Sequence, residues 1–335
     1  MLFDNFNYLF FLLLLNGIFL FKYELIGKII NIYDVPSEKR KIHKLPVPII
    51  GGLLIFVNIL VFVLFGFLKN TNLLYNVFIS TELKGLVYFL TFVTFIFFTG
   101  LYDDKYKIRP LTRLILLTLF IYFLIISDNN LLIKSFEFSF SALKINFDLG
   151  KVFLVLASLI TLIIACNMSD GINLQSSSFY LINFLTLYYF KSNDFILFIV
   201  IILIIFSYLN FKGKIFLGDS GSYVLSLLLG FYFIKYYNFN HILYADHVFL
   251  FLFFPVLDAL RCFIFRLMKG RSIFLPDNIH FHHILLNKIG YTKTIIVLSC
   301  FYLFPIIGFL LKLNSIYSLI IILVVYFLFL YRFKF

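Results

Sequence analysis

Eleven long apolar runs constrain this chain more than any other feature, because they suit helices buried in lipid far better than a soluble core. They cover residues 6–31, 49–68, 85–102, 111–127, 151–166, 176–190, 194–211, 221–237, 247–268, 293–311 and 315–332. A membrane-spanning helix needs about 20 mainly apolar residues. Composition agrees: the chain is 62% hydrophobic and 13% charged, with Phe at 49 positions, whereas soluble domains are nearer half apolar and a quarter charged. The expectation is one all-α polytopic domain over residues 1–335, with about 11 (10–11) spanning helices. The first run has an acidic start at Asp4 and no small-residue cleavage site, so it reads as a retained helix. With no Trp present, Tyr must supply most of an interfacial aromatic belt.

The net charge of +12 is explained by positive-inside loop bias rather than by nucleic acid. If the N-terminus is outside, the connections after the odd-numbered runs and the C-terminus are cytoplasmic. Those segments carry seventeen Lys and Arg residues against eight in the outer connections, which supports an N-out, C-in topology. Cys166, Cys262 and Cys300 are scattered, so they form neither a disulfide framework nor a zinc motif. In one outer connection Phe136, Phe138 and Phe140 alternate with Glu137 and Ser139, followed by Lys144 to Asp148. This period of two predicts a small β-hairpin.

Polar residues are gathered into five islands, Asp34–Gly52, Asp103–Arg113, Asn167–Gln175, Lys212–Ser222 and Arg271–Gly290, which the topology puts on one side. Carboxylates at membrane depth are costly and tend to be functional. Asp103 and Asp104 would repel if both were ionised, so they need a cation or a shared proton; Lys105, Lys107 and Arg109 could neutralise them without any further role. Asp170-Gly171 is a turn signal, and an Asx turn would account for it. In Gly218-Asp219-Ser220-Gly221-Ser222, small residues let backbone N–H groups approach an anion at a helix start and Asp219 can hold a hard cation. A simple helix cap by Asp219 or Ser220 is the alternative. His280 and His283 would share a face of a helix with His282 turned away. Zinc fits that spacing, but no Cys is nearby in sequence and the hard oxygen donors elsewhere suit Mg²⁺ better. Asp258 and Arg261, three apart in one run, can form an ion pair. His241 and His247 lie near the outer face and read as incidental.

In order, the chain presents Asp34-Val-Pro, His43-Lys44-Leu-Pro-Val-Pro48, Gly51-Gly52, Asp103-Asp104, Asn167-x-x-Asp170-Gly171, Phe216-Leu-Gly-Asp219-x-Gly-Ser222 and Pro276-Asp277-x-x-His280-x-His282-His283. This set closely resembles the polyprenyl-phosphate N-acetylhexosamine-1-phosphate transferases, of glycosyltransferase family 4 type, from about residue 30 to 290. The Asp-Val-Pro opening and the His-x-His-His spacing are closer to the polysaccharide-initiating branch than to the related phospho-N-acetylmuramoyl-pentapeptide transferases, whose motif has consecutive histidines.

The resemblance implies transfer of N-acetylhexosamine 1-phosphate, GlcNAc-1-phosphate first, from a UDP-sugar to undecaprenyl phosphate with release of UMP. Such a step would start a cell-surface polysaccharide such as O-antigen. It implies a multi-pass protein of the bacterial inner membrane, with catalytic loops 33–52, 102–113, 167–175, 212–222 and 269–290 at the cytoplasmic face, and a homodimer as a family expectation. By motif match, Asp219 is the leading ligand for Mg²⁺ (or Mn²⁺) with Asp103 beside it. Asp103 is also the candidate base, and Asp104 supports substrate or metal. Asn167 and Asp170 would bind the nucleotide end, and Phe216 could stack on uracil. Lys44 and the histidines His280, His282 and His283 would neutralise and orient phosphate or sugar. Direct attack on the β-phosphate and a covalent aspartyl-phosphate both remain open. The chain departs from the pattern where many relatives continue Asp-Gly-x-Asp-Gly-Leu: here Asn173-Leu174-Gln175 follows Ile172. Asn173 can hydrogen-bond a sugar or base but brings no charge to a metal. A peptidoglycan donor, a transporter with charges along its path, and a degenerate paralogue with a binding role are the competing expectations.

Overall fold

The computed structural model describes residues 6–36, 43, 45–69, 74, 78, 83–147, 149–240, 243–273 and 278–333. Within them each apolar run becomes one long helix: α1 (Phe6–Ile30), α2 (Gly51–Lys69), α3 (Leu83–Tyr106), α4 (Pro110–Ser127), α5 (Lys151–Met168), α6 (Gln175–Phe190), α7 (Asp194–Phe211), α8 (Gly218–Asn240), α9 (Ala245–Met268), α11 (Tyr291–Leu310) and α12 (Ser315–Arg332). The short α10 (Phe281–Ile289) carries the histidine motif. Eight of these helices, α2, α3, α4, α5, α7, α9, α11 and α12, are long and apolar enough to cross a membrane by length and composition. The chain is a polytopic helical membrane protein, as the runs predict. Helix α6 has 16 residues and spans only about 24 Å at 1.5 Å per residue, less than the hydrocarbon thickness of about 30 Å.

The innermost helix is not one of the eight. Helix α8 is buried at every residue from 220 to 236 and packs against α2, α3, α5 and α6. Surrounded by protein, it can carry Ser220, Ser222 and Ser226, because their hydroxyls find partners in the bundle. The Tyr180 hydroxyl lies 2.8 Å from Ser226 Oγ, and Ser226 Oγ donates to the Ser222 carbonyl at 2.7 Å. Without a hydrophobic drive between helices in lipid, close packing must hold them together, and small residues allow it. A Cβ on Gly100 of α3 would lie 2.4 Å from Ser220 Cα, and one on Gly52 of α2 would lie 2.4 Å from Gly221 N.

One end of the bundle gathers the polar islands; the other carries the predicted hairpin. Strands β3 (Ser135–Phe138) and β4 (Ser141–Asn146) pair antiparallel, with Glu137 opposite Lys144 and an ion pair of 2.6 Å between them. Tyr237 of α8 accepts from Glu137 N and donates to the Ser135 carbonyl, and Asp246 of α9 accepts from Ser139 N, which ties the hairpin to the bundle. Lys235, one of the eight Lys and Arg residues that the topology puts in outer connections, is instead buried, paired with Asp128 at 2.7 Å and donating to the Phe78 carbonyl at 3.0 Å. Removing it from the loop count sharpens the charge bias. His247 packs against Phe309 at this end, while His241 lies outside the described residues. An apolar cavity of about 400 Å³ also lies toward this end, lined by Phe136, Ala157, Gly230, Phe233 and Tyr237 among others and by no charged side chain. It is not part of the polar cluster.

Candidate functional site

Helix α3 delivers Asp103 and Asp104 in its last turn, and the chain then reverses. Lys107 takes a left-handed φ of 53°, its N–H closing on the Asp103 carbonyl at 2.8 Å. Pro110 starts α4 at the first helical position, where its missing N–H costs nothing. Arg113, on the first turn of α4, is thereby turned back toward Asp103. Its Nη1 lies 3.0 Å from Asp103 Oδ2 and 3.6 Å from Asp219 Oδ2. The Tyr223 hydroxyl donates to the same two oxygens at 3.2 and 3.4 Å. Two carboxylates from different helices therefore face one guanidinium nitrogen. Among the described contacts the cation beside Asp103 is Arg113, not Lys105, Lys107 or Arg109, which are exposed.

Asp104 has a different position from its neighbour. Its Oδ1 accepts from Asp219 N at 2.7 Å, and its Oδ2 accepts from Ser220 N at 3.1 Å and Ser220 Oγ at 2.8 Å. The start of α8 is thus capped by a carboxylate from α3 rather than by Asp219 or Ser220. Negative charge there is favoured by unpaired N–H groups and by the helix dipole. Gly218 makes the approach feasible: its φ is +75°, and a Cβ on it would lie 2.7 Å from Asp104 Oδ2. Capping by Asp104 leaves the Asp219 side chain turned toward Asp103. Asn167, at the end of α5, donates Nδ2 to Asp219 Oδ1 at 2.7 Å.

The loop between α5 and α6 closes the next side. Asp170 and Gly171 are exposed. Surrounding protein pushes the Asp170 carboxyl up to about 6, an effect that water on its open side will blunt. Leu174 sits at φ +66°, a left-handed conformation that favours glycine. The Asn210 amide secures the loop there, accepting from Leu174 N at 2.7 Å and donating to the Ile215 carbonyl at 3.0 Å. Asn173 offers its carbonyl to the Tyr291 hydroxyl at 3.2 Å, and its side-chain amide lies 4.0 Å from where a Cβ on Gly213 would be. Phe216 bridges to Ile49 beside the paired strands β1 (Tyr33–Asp34) and β2 (Val47–Pro48). It meets the His43 ring edge-on at 5.1 Å, and His43 Nε2 lies 3.4 Å from Asp34 Oδ2. Lys44, Pro276 and Asp277 lie outside the described residues.

The histidines correct the helical-face expectation. Helix α10 begins only at Phe281, so His280 sits at the cap and does not share a helical face with His283. The buried pair is His280 and His282, stacked with ring centroids 5.5 Å apart. Phe281 between them is pinned among Phe254, Phe301, Tyr326 and Phe329. A cysteine is near in space after all: Cys262 Sγ lies 3.4 Å from His280 Nδ1. Asp258, His280 and His282 bring one ligand atom each within 4.8 Å of one another, yet Asp258 is already saturated. It accepts from His280 Nδ1 at 2.9 Å, Tyr326 at 2.7 Å, Arg261 at 2.9 Å and Phe281 N at 3.1 Å. With Arg266 Nη2 3.5 Å from His280 Nε2 as well, this group anchors α10 and does not suit a further cation. His282 reaches the carboxylate side of the site by the Asp170 loop: a Cβ on Gly171 would fall 2.0 Å from its Nε2. Burial, with His283 and His280 beside it, holds the His282 imidazole well below its ordinary value.

Contacts therefore join residues of all five islands at one end of the bundle. Arg113, Tyr223, Asn210 and Asp258 complete the arrangement. Three had a sequence signal: Tyr223 is four residues after Asp219 on a helix, Arg113 is one turn beyond Pro110, and Asp258 is three residues before Arg261.

The chain is similar in sequence to known proteins. Residues 86–237 match the family model described as glycosyl transferase family 4, a stretch holding Asp103, Asp104, Arg113, Asn167, Asp170 and Asp219. Over 97 residues the chain is 36% identical to the Thermotoga maritima protein named undecaprenyl-phosphate alpha-N-acetylglucosaminyl 1-phosphate transferase, covering 29% of this chain and 32% of that protein. Over 110 residues it is 34% identical to the Mycobacterium leprae decaprenyl-phosphate N-acetylglucosaminephosphotransferase, covering 29% of this chain and 27% of that one. These two alignments span about a third or less of each relative. A longer one, 27% identical over 304 residues, covers 86% of this chain and 77% of the Bacillus subtilis protein named "Probable undecaprenyl-phosphate N-acetylglucosaminyl 1-phosphate transferase". Residues 86–237 are thus similar to glycosyl transferase family 4, in keeping with the family that the motif order resembles.

Proposed function

We propose that this protein transfers a sugar 1-phosphate, N-acetylglucosamine 1-phosphate first among the candidates, from a UDP-sugar to undecaprenyl phosphate. The names of its relatives support the polyprenyl-phosphate acceptor and the sugar-phosphate group. One observation carries the reading for this chain: Asp103 and Asp219, from different helices, converge on a single cationic nitrogen of Arg113. Transfer between two polyanions demands mainly positioning and charge neutralisation.

In the proposed reaction an oxygen of the lipid phosphate attacks the β-phosphorus of the UDP-sugar. The new P–O bond forms as the bond to the bridging oxygen breaks, and UMP leaves with that oxygen. Direct attack is favoured over a covalent aspartyl intermediate, because both oxygens of Asp103 already accept hydrogen bonds, Oδ1 from Ile108 N and Oδ2 from Arg113 and Tyr223. The all-oxygen donor set at Asp103 and Asp219 fits a hard divalent ion such as Mg²⁺, with Mn²⁺ as substitute. Arg113 already shows that a positive group is accommodated between the two carboxylates. A dication held there would neutralise the phosphates. Asp104 is committed to capping α8 and is assigned to positioning. Asn167 orients Asp219, and Phe216 and Lys44 are assigned to the base and phosphates of the nucleotide. Asp170, Asn173, His282 and His283 are assigned to the sugar-phosphate end, and His280 to anchoring α10 beneath them. In this reading the site faces the cytoplasm across a bacterial inner membrane.

Purified protein incubated with Mg²⁺, undecaprenyl phosphate and each of several radiolabelled UDP-sugars tests this. The expected result is a lipid-linked sugar from at least one UDP-N-acetylhexosamine, lost on chelation and absent without the lipid. No product from any of them, while a relative assayed in parallel makes its own, would overturn the proposal.

A further inference from the structure

The residue following Leu174 is Gln175, the first residue of α6. It is buried at 2% exposure, and so is His282. Their side chains meet, Gln175 Nε2 lying 3.2 Å from His282 Nδ1. At the far side of the same imidazole, Nε2 is buried without a partner, and it lies against Gly171, whose lack of a side chain leaves only a bare Cα over it. A buried polar atom with no partner calls for an explanation. Here it lies beside the exposed turn that presents Asp170.

We propose that Gln175 is a positioning residue: its amide donates to Nδ1 of His282, fixes the Nε2–H tautomer, and so presents that N–H at Gly171 as a hydrogen-bond donor for a phosphate oxygen of the substrate. The role at the phosphate rests on the transferase reading above; the tautomer does not. A neutral imidazole has one donor and one acceptor nitrogen, and the hydrogen bond at one nitrogen selects what the other offers. Burial keeps His282 neutral, so the choice of tautomer decides whether it attracts or repels an anion. The amide orientation has its own support. Gln175 Oε1 and the Tyr302 hydroxyl are both buried without a hydrogen bond, and the two side chains are close enough to interact. Pairing them would give Oε1 its donor and leave Nε2 for His282. His280 next door is held in the opposite sense, Nδ1 toward Asp258 and Nε2 toward Arg266. The two stacked rings thus have distinct assignments, one structural and one facing the site.

The test is nitrogen-15 NMR of histidine-labelled protein in detergent, with His282→Gln identifying the His282 signals. Wild type should show the Nε2–H tautomer at His282. In Gln175→Leu that preference should be lost, with kcat falling on the order of 10- to 100-fold, as for other groups that orient a functional imidazole, and KM for the UDP-sugar little changed. Gln175→Glu keeps the size but offers an acceptor, which moves the proton to Nδ1, so it should be at least as damaging as the Leu variant. An Nδ1–H tautomer in wild type, or an unchanged tautomer and kcat in Gln175→Leu, overturns the proposal. The wild-type spectrum decides even if a variant fails to fold. If the tautomer behaves as stated but no form makes a lipid-linked sugar, the transferase reading falls and the positioning of His282 stands.

Discussion

Arg113 places one guanidinium nitrogen between carboxylates that would otherwise repel across the meeting of α3 and α8. Removing it leaves buried Asp103 facing Asp219 without compensation, a change that is costly inside a protein. Arg113→Ala is expected to lower transfer by on the order of 100-fold, the scale seen when a preorganised charge partner is lost. Normal turnover in a steady-state assay of the purified variant would remove it from the site. Asp170 gives a prediction of opposite sign for stability. Surrounding protein raises its folded value above the ordinary 3.8, toward about 6 before screening by water on its exposed side, so the protonated form is the one that the fold favours. That contribution is full below the ordinary value and is lost as pH rises through about 6. Asp170→Asn should therefore raise the thermal midpoint near neutral pH, with the gain vanishing at about pH 4, while transfer falls. Thermal unfolding in detergent at both pH values, with an unchanged or lowered midpoint near neutrality, would contradict this.

At the scale of elements, two packing features hold the chemistry in register. Gly100 lets α3 approach Ser220 Cα so closely that a methyl would sit 2.4 Å away, and the capping of α8 by Asp104 depends on that approach. Gly100→Ala should separate the helices and cost most of the activity even though it touches no substrate; a variant with wild-type kcat would argue against it. Phe281 anchors α10 in an aromatic box, and truncating a buried Phe to Ala typically costs about 3–5 kcal/mol. Phe281→Ala should show that loss as a lowered midpoint, together with weakened transfer as His280 and His282 lose their support. The helices themselves were legible in the sequence, since each apolar run maps onto one of them, and the Phe136–Phe140 alternation gave the hairpin. The histidine geometry was not. Helical spacing assigns faces only inside a helix, and nothing local shows that α10 starts after His280 because Asp258, distant in sequence, holds the Phe281 N–H. Lys235 misled for the same reason, since a charge in an apolar run shows its partner only when Asp128 and Phe78 are brought to it.

For the whole molecule, the five islands meet at one end and the hairpin closes the other, so a single orientation in the membrane must serve them all. Cys166 and Cys262 are buried and only Cys300 is exposed, which makes a labelling experiment feasible after replacing Cys300. Single cysteines at Lys214 and Arg271 should react from the same face of sealed vesicles, and one at Lys144 from the other; Lys214 and Arg271 on opposite faces would break the topology. Motif order showed which stretches meet at this end because each island is contiguous. It could not give the division of labour between Asp103 and Asp104, identical neighbours whose surroundings come from α4 and α8. The measurement that bears most directly on the account is UMP release by purified protein given UDP-N-acetylglucosamine and undecaprenyl phosphate, compared with Asp103→Asn and Asp219→Asn. The account predicts one UMP per lipid-linked sugar in wild type and none above background in either well-folded variant. Undiminished release from both variants would contradict it.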